Sequence, residues 1–288
     1  MQQKQNLTPQ KHWDLVIKPK RNLFDINFRE LWKFRDLIGL FVRRDFVAKY
    51  KQTILGPLWF ILQPLLQTLI FTVVFGRIAG LSTDGLPQML FYLAGIVPWT
   101  YFSTSLNLTS KTFVENAKIF GKVYFPRLAV PISIVISNLI QFAIQLIFLL
   151  VFMIIYWMQG YKFGPDLSIF LLPVLVILLA ALGLGFGIII SSLTTKYRDL
   201  VNLVTFGVQL WMYATPVIYP LSSIEGKMRP FILANPLTGI VETFKTIMLG
   251  VGELRWDLLG YSGIFCLIVI LVGVLLFNKI EQNFMDTV

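Results

Sequence analysis

The chain has 288 residues, of which 56% are hydrophobic and 14% charged, a charged share about half that of a soluble domain, which excludes an ordinary water-soluble fold. The net charge of +10 comes from 25 basic and 15 acidic residues, and residues 1–53 hold 12 of the basic and 5 of the acidic ones, leaving a greasy body with few charges. One cysteine, Cys266 in an apolar run, and one histidine, His12 in the polar tail, exclude a disulfide framework and any cysteine or histidine metal or acid–base chemistry inside a membrane.

In chain order, Asn27 and Glu30 have capping-box spacing, with Asn in place of the usual Ser or Thr. They open a predicted helix that puts Leu31, Phe34, Ile38 and Phe41 on one side. Arg29, Lys33, Arg35, Asp36, Arg43 and Arg44 give it a polar face, so it is expected to lie in the inner membrane interface with its basic groups on anionic headgroups. A plain juxtamembrane anchor and a docking surface for a cytoplasmic partner both fit this pattern.

A helix needs about 20 mostly apolar residues to cross a bilayer. Six windows qualify, at Ile54–Phe75, Met89–Ser110, Pro131–Trp157, Ser168–Ser192, Leu200–Tyr219 and Leu259–Asn278, and none contains Asp, Glu, Lys or Arg. The first lies behind too long a charged region to be a cleavable signal peptide, so it is expected to be permanent. The N-terminal region, the 111–130 and 193–199 loops and the tail after Asn278 together hold 19 basic groups, and the loops on the other side hold 6. The positive-inside rule then places both termini in the cytoplasm. Tyr156, Trp157, Tyr161, Trp256 and Tyr261 fall at the outer interface by this count, where amphipathic rings belong.

Several windows carry uncharged polar residues at helical spacing: Gln63 and Gln67; Ser103 and Asn107; Ser133, Ser137, Gln141 and Gln145; Asn202, Thr205, Gln209 and Tyr213. Steps of three or four put each set on one face. Such groups serve either as interhelical glue or as the lining of a hydrated route, because an unpaired amide in hydrocarbon costs several kcal/mol. Gly183, Gly187 and Ser191 form a ridge of small residues for close helix packing. With no ionisable group in any window, an ion-coupled carrier is disfavoured. With no Gly-rich phosphate loop ending in Gly-Lys-Ser/Thr, the chain has no ATPase site of that kind and energy must come from another chain.

The outer loop, residues 220–258, contains Asn235-Pro236, an N-cap followed by proline at the first helical position. A helix to about Leu249, stopped by Gly250, is predicted, with Leu237, Ile240, Val241, Phe244, Ile247 and Met248 on one wide face. At roughly 20 Å it is too short to cross, so it is either re-entrant or lies at the outer surface, as a gate or as a seal. On the opposite side, the 111–127 segment combines Lys111, Lys118, Lys122 and Arg127 with the exposed-looking rings Phe113, Phe120, Tyr124 and Phe125, which suggests a joint to a partner or a lie along the inner membrane surface.

The runs Phe34-Arg35-Asp36-Leu37, Val42-Arg43-Arg44-Asp45, Tyr50-Lys51-Gln52-Thr53 and Leu55-Gly56-Pro57-Leu58-Trp59 resemble the start of the permease subunit of ABC-2-type polysaccharide exporters. Lys122-Val123-Tyr124-Phe125-Pro126-Arg127, Tyr197-Arg198-Asp199, Thr215-Pro216-Val217-Ile218-Tyr219-Pro220 and Asn235-Pro236-Leu237-Thr238-Gly239 continue the resemblance in order, with Thr215 where Ser is commoner and Lys51 where Arg is. The O-antigen exporter branch is closest, with capsule and teichoic acid exporters as relatives.

The resemblance implies an all-α, six-helix transmembrane bundle in the bacterial inner membrane, with an N-terminal cytoplasmic interfacial region over 1–53 and the transmembrane domain over 54–288. It implies a homodimer joined to two ATP-binding cassette subunits, which hold the ATP and Mg while this chain holds no cofactor or metal. The substrate implied is a polyprenyl-diphosphate-linked polysaccharide, with membrane lipids around the bundle and no nucleic acid.

By the same analogy the first, second and fifth spans surround the path, and with the polar stripes this makes Gln63, Gln67, Asn202, Gln209 and Tyr213 its expected lining, with Trp99 and Tyr101 nearby. Lys118, Phe120, Lys122, Tyr124, Phe125 and Arg127 are the expected joint to the ATPase, and Asn235, Pro236 and Phe244 belong to the outer gate. A drug or lipid exporter of the same superfamily is the alternative cargo reading. A membrane transferase is a different class, and it would need catalytic acids where only scattered Asp84, Glu115, Asp166 and Asp199 occur.

Overall fold

The computed structural model describes residues 28–51, 55–161, 164, 167–195, 197 and 199–287. His12, Asn27, Gln52, Thr53, Asp166 and Arg198 lie outside the described residues. The elements among the described residues are helical, with no strand. They run α1 (Phe28–Lys33), α2 (Arg35–Tyr50), α3 (Trp59–Phe71), α4 (Gln88–Thr109), α5 (Thr112–Phe120), α6 (Ala129–Met158), α7 (Leu172–Thr194), α8 (Leu200–Tyr213), α9 (Met228–Leu233), α10 (Pro236–Leu249) and α11 (Trp256–Thr287).

Among the described residues four stretches are long and apolar enough to cross a membrane: Gly56–Ile78, Ala129–Met158, Leu167–Thr194 and Trp256–Ile280. The first is α3 with a short 3₁₀ turn before it and a π-helical segment, Thr72–Ile78, after it. The second window forms α4, 22 residues long, but its sequence is more polar because it serves as the centre of the bundle. From Leu90 to Trp99 every residue is buried, and α4 packs against α3, α6, α7, α8 and α10.

The fifth window is shorter than its composition implies. Helix α8 closes at Tyr213, because Pro216 lacks an N–H and disfavours the helical conformation of the residue before it. Residues 214–220 are a turn rather than the end of a continuous span.

Helix α10 forms as its residues require. The Asn235 side chain accepts from the Leu237 N–H at 3.1 Å, Pro236 occupies the first turn, and Gly250 at φ 68° closes the helix in the left-handed region that a side chain would strain. Nearly all of α10 is buried among α4, α7 and α11, so it belongs to the interior of the bundle and does not rest on its surface.

The small-residue ridge on α7 meets α4 directly. A Cβ placed on Gly187 would lie 2.5 Å from the Thr109 Cβ, and one on Gly183 would lie 2.9 Å from the Ser105 Cβ. Of the α6 stripe, Ser133, Ser137 and Gln145 are buried and Gln141 is half-buried; Ser133 Oγ donates to the Val130 carbonyl and Gln145 Nε2 crosses to another helix, donating to the Phe60 carbonyl at 3.2 Å. The Phe60 carbonyl would ordinarily accept from residue 64, which is Pro64 inside α3. Beside the stripe, Asn138 Nδ2 donates to Ser105 Oγ on α4 at 3.3 Å.

The N-terminal helical pattern divides at Phe34 (φ −94°, ψ 17°) into α1 and α2. Its apolar stripe meets protein: Phe41 is buried and Leu31, Phe34, Leu37 and Ile38 pack on a cluster with Phe113, Phe120, Phe125 and Phe277. The rings of Phe113 and Phe277 stack at 4.6 Å, and Phe41 meets Phe125 edge-on at 5.7 Å.

Two substitutions test this architecture. Gln145→Leu leaves the Phe60 carbonyl without its α6 donor and is expected to cost about 1–3 kcal/mol. Gly187→Val drives methyl groups into Thr109 and is expected to cost about 1–3 kcal/mol through forced separation of α4 and α7. Both appear as lowered thermal midpoints of the detergent-solubilised chain.

Candidate functional site

Helices α3 and α8 bear the residues expected to line a path. Gln67 is half-buried and its Nε2 approaches Met212 Sδ at 3.5 Å, joining the two helices. Gln63, Asn202, Gln209 and Tyr213 are exposed on the same pair of helices. They stand beside the exposed apolar side chains Leu203, Phe206 and Leu210, so this face mixes amides, one phenol and hydrocarbon without a formal charge.

Trp99 and Tyr101 are core residues instead. Trp99 packs on Phe102 at 5.6 Å. Tyr101 sets its ring 5.3 Å from Phe142 and donates its hydroxyl to the Val135 carbonyl at 3.4 Å. Both sit on the buried α4, which leaves Gln63, Gln67, Asn202, Gln209 and Tyr213 as the side chains a bound molecule could reach.

The joint segment also differs from its expectation. Phe113, Phe120 and Phe125 are buried in the aromatic cluster and do not face water, because a chain this short of charge uses its rings to seal the end of the bundle. Lys118, Lys122, Val123 and Tyr124 are exposed, as are Val114, Glu115 and Gly121, with Tyr124 half exposed at 53%. Arg127 lays its guanidinium over the Phe120 ring at 5.6 Å, tying the segment's last basic group to the cluster.

On α2, Arg35 lies 3.9 Å from Asp36 and 5.8 Å from the Trp32 ring centroid, while Arg44 pairs with Asp45 at 2.9 Å and covers the Phe41 ring at 4.7 Å. A cleft of about 390 Å³ opens between α2, α5 and α6, lined by Arg44, Asp45, Glu115, Asn116, Ser137 and Asn138 among others.

At the other end, Phe244 is fully buried and faces Phe142 at 6.4 Å. Asn235 donates from Nδ2 to the Ala214 carbonyl and to Thr215 Oγ1, each at 2.9 Å, so the cap of α10 also grips the turn after α8.

Sequence reasoning missed a charged pair inside the bundle. Lys245 is 4% exposed; its Nζ donates to the Pro216 carbonyl, lies 3.6 Å from Glu242 Oε1 and sits 3.9 Å above the Phe91 ring. The signal was present as an i, i+3 Glu–Lys pair within an otherwise uncharged 14-residue helix. At 14 residues α10 is too short to count as a spanning window, so its charges read as those of an outer loop. Among the described residues no group of acidic, histidine or cysteine side chains could hold a metal ion.

Comparison with known proteins accounts for this arrangement. The profile of the ABC-2 type transporter family matches residues 36–249. The chain is 29% identical over 252 residues to the O-antigen export system permease protein RfbA of Klebsiella pneumoniae, covering 87% of this chain and 94% of that one. It is 31% identical over 221 residues to the RfbA permease of Myxococcus xanthus, covering 76% and 82%. It is 26% identical over 241 residues to the polysialic acid transport protein KpsM of Escherichia coli, covering 83% and 91%. The match takes in α2 through α10, the exposed α3 and α8 face and the buried α10 included, and the chain belongs to the ABC-2 type transporter family.

Proposed function

We propose that this chain is the transmembrane subunit of an ATP-driven exporter that moves a lipid-linked, O-antigen-like polysaccharide across the bacterial inner membrane. The observation that carries this reading is the near full-length similarity to permeases named for O-antigen export. Two copies of the chain form the membrane unit, crossing six times each with both termini in the cytoplasm, and two separate ATP-binding subunits hold the nucleotide and Mg. The relatives named for polysialic acid transport favour a capsule-type polymer as the second reading.

The chemistry of the α3 and α8 face suits a sugar polymer. Carboxamides and a phenol offer single hydrogen bonds to hydroxyls, each worth about 0.5–1.5 kcal/mol net, with rings for stacking. No fixed charge is present on this face to hold the polymer in one place, so the grip is weak and repeated along it, as continuous movement requires. Helix α10, with Asn235, Pro236 and Phe244, stands at the outer end of this route as its gate.

Transport of a lipid-linked glycan by the purified complex in vesicles tests the reading, and transport of a small lipid or drug in its place would move the chain to the other cargo class. Gln209→Leu is expected to slow export severalfold while leaving the chain folded, and a cysteine at Gln63, Asn202 or Gln209 is expected to react with small hydrophilic thiol reagents in the active complex. Uniform protection of these cysteines would return the face to helix packing.

The cytoplasmic joint is proposed on the exposed side chains Lys118, Lys122 and Tyr124, with Arg127 and the buried rings of Phe120 and Phe125 as its stiff backing. Lys122→Ala with Tyr124→Ala is expected to uncouple ATP hydrolysis from export without unfolding the chain. Phe120→Ala, by contrast, is expected to cost about 3–5 kcal/mol of stability, because it empties a buried site. The two outcomes separate in a thermal melt and an export assay run on the same preparations.

A further inference from the structure

Glu242 and Lys245 take no part in the transport reading, yet a 4%-exposed lysine is costly to bury and its surroundings are specific. They follow from the way α8 ends. Pro216 stops the helix, which leaves the carbonyls of its last turn without the donors a continuing helix would supply. Part of the need is met locally. Thr215 N–H donates to the Met212 carbonyl at 3.2 Å, Thr215 Oγ1 to Trp211 at 2.9 Å, and the Tyr219 hydroxyl to Tyr213 at 2.9 Å. The Ala214 and Pro216 carbonyls lie in the turn beyond the helix and are reached by side chains of the α10 segment, the amide of Asn235 and the ammonium of Lys245.

These two anchors lie roughly three helical turns apart on α10, so the turn is held at two points and its rotation about either one is blocked. The ammonium donates to the Pro216 carbonyl, lies at ion-pair distance from the Glu242 carboxylate and sits over the face of Phe91 on α4. The same turn presses on α4 so closely that a Cβ on Gly95 would lie 2.6 Å from the Val217 carbonyl oxygen. Lys245 therefore ties α10, α4 and the end of α8 together at one atom. A neutral donor could satisfy the carbonyl but could not also hold the ring and the carboxylate.

We propose that Lys245 is a positioning residue: together with Asn235 it holds the Thr215–Pro220 turn, and through it the end of α8 bearing Gln209 and Tyr213, in the orientation that transport uses. The transport clause rests on the function proposed above, whereas the anchoring clause does not.

The test uses the full-length chain with Cys266→Ala and a spin label on a cysteine at Tyr213, a half-exposed position. Lys245→Met keeps a long apolar side chain in the buried site but deletes the ammonium. It is expected to raise the label's rotational mobility severalfold while the chain still melts cooperatively, and, in the unlabelled chain with Tyr213 intact and in complex with the ATPase, to lower polymer exported per ATP about tenfold. An unchanged spectrum overturns the proposal, and so does a mobilised label with export unaltered.

Should Lys245→Met fail to assemble, Asn235→Ser decides: the serine still caps α10 but is too short to reach the Ala214 carbonyl, and the same gain in mobility is expected. Failure of both variants to yield folded chain would make the anchors structural alone and overturn the proposal. If the unsubstituted complex exported no polysaccharide, the functional reading would fall while the label continued to report on the anchor.

Discussion

A backbone carbonyl inside a bundle surrounded by lipid has no water to turn to, and prolines create such carbonyls wherever they interrupt a helix. Two of this chain's interruptions determine how its helices meet. Pro64 lies within α3, and the Phe60 carbonyl one turn earlier is met by Gln145 from α6. Pro216 ends α8, and the carbonyls around it are met by Asn235 and Lys245 from α10. In each case polar side chains on a neighbour meet backbone carbonyls at the interruption, so hydrogen bonding fixes which helices are adjacent and at what height. Apolar packing alone would leave that choice loose, since lipid tails are as apolar as the side chains they compete with.

The interior is correspondingly built around the less hydrophobic helices. α4, with its Ser, Thr and Asn residues, and α10, with its Glu–Lys pair, are the most enclosed, while the strongly apolar α6, α7 and α11 carry many exposed aliphatic side chains. This is the distribution expected where the solvent is hydrocarbon: the outside is greasy and the polar atoms are withdrawn to where partners exist.

That distribution also explains which features were legible in the sequence. The membrane class, the bounds of α10 with its Asn235 cap and Gly250 stop, and the Gly183–Gly187 ridge follow from local rules that neighbours do not override. The burial of Phe113, Phe120 and Phe125 was not legible, because a ring in a charged loop reads as exposed until α2 and α11 are known to close over it. The short α8 could have been foreseen from Pro216, but the hydropathy of residues 214–219 masked the break. At the candidate path, the polar spacing on α3 and α8 picked out side chains that the structure leaves exposed or half-buried, while Trp99 and Tyr101 were placed beside them by sequence position on α4, whose buried setting depends on contacts no periodicity encodes. Lys245 stood in plain view, yet its partner Pro216 comes from a turn that only the tertiary fold brings to it.

Helix α6 has 30 residues and so measures about 45 Å along its axis, against a hydrocarbon thickness of about 30 Å. Leaning the helix does not absorb the difference, because a rod of that length would have to incline by nearly 50°, beyond the roughly 0–40° seen for membrane helices. Part of α6 must therefore extend beyond the hydrocarbon into the headgroup layer. Its last residues, Tyr156, Trp157 and Met158, include a tryptophan that is 65% exposed, a side chain suited to the boundary between acyl chains and headgroups. In a membrane of different thickness the projecting length, and with it the height of the following loop above the bilayer, changes while the bundle stays as it is.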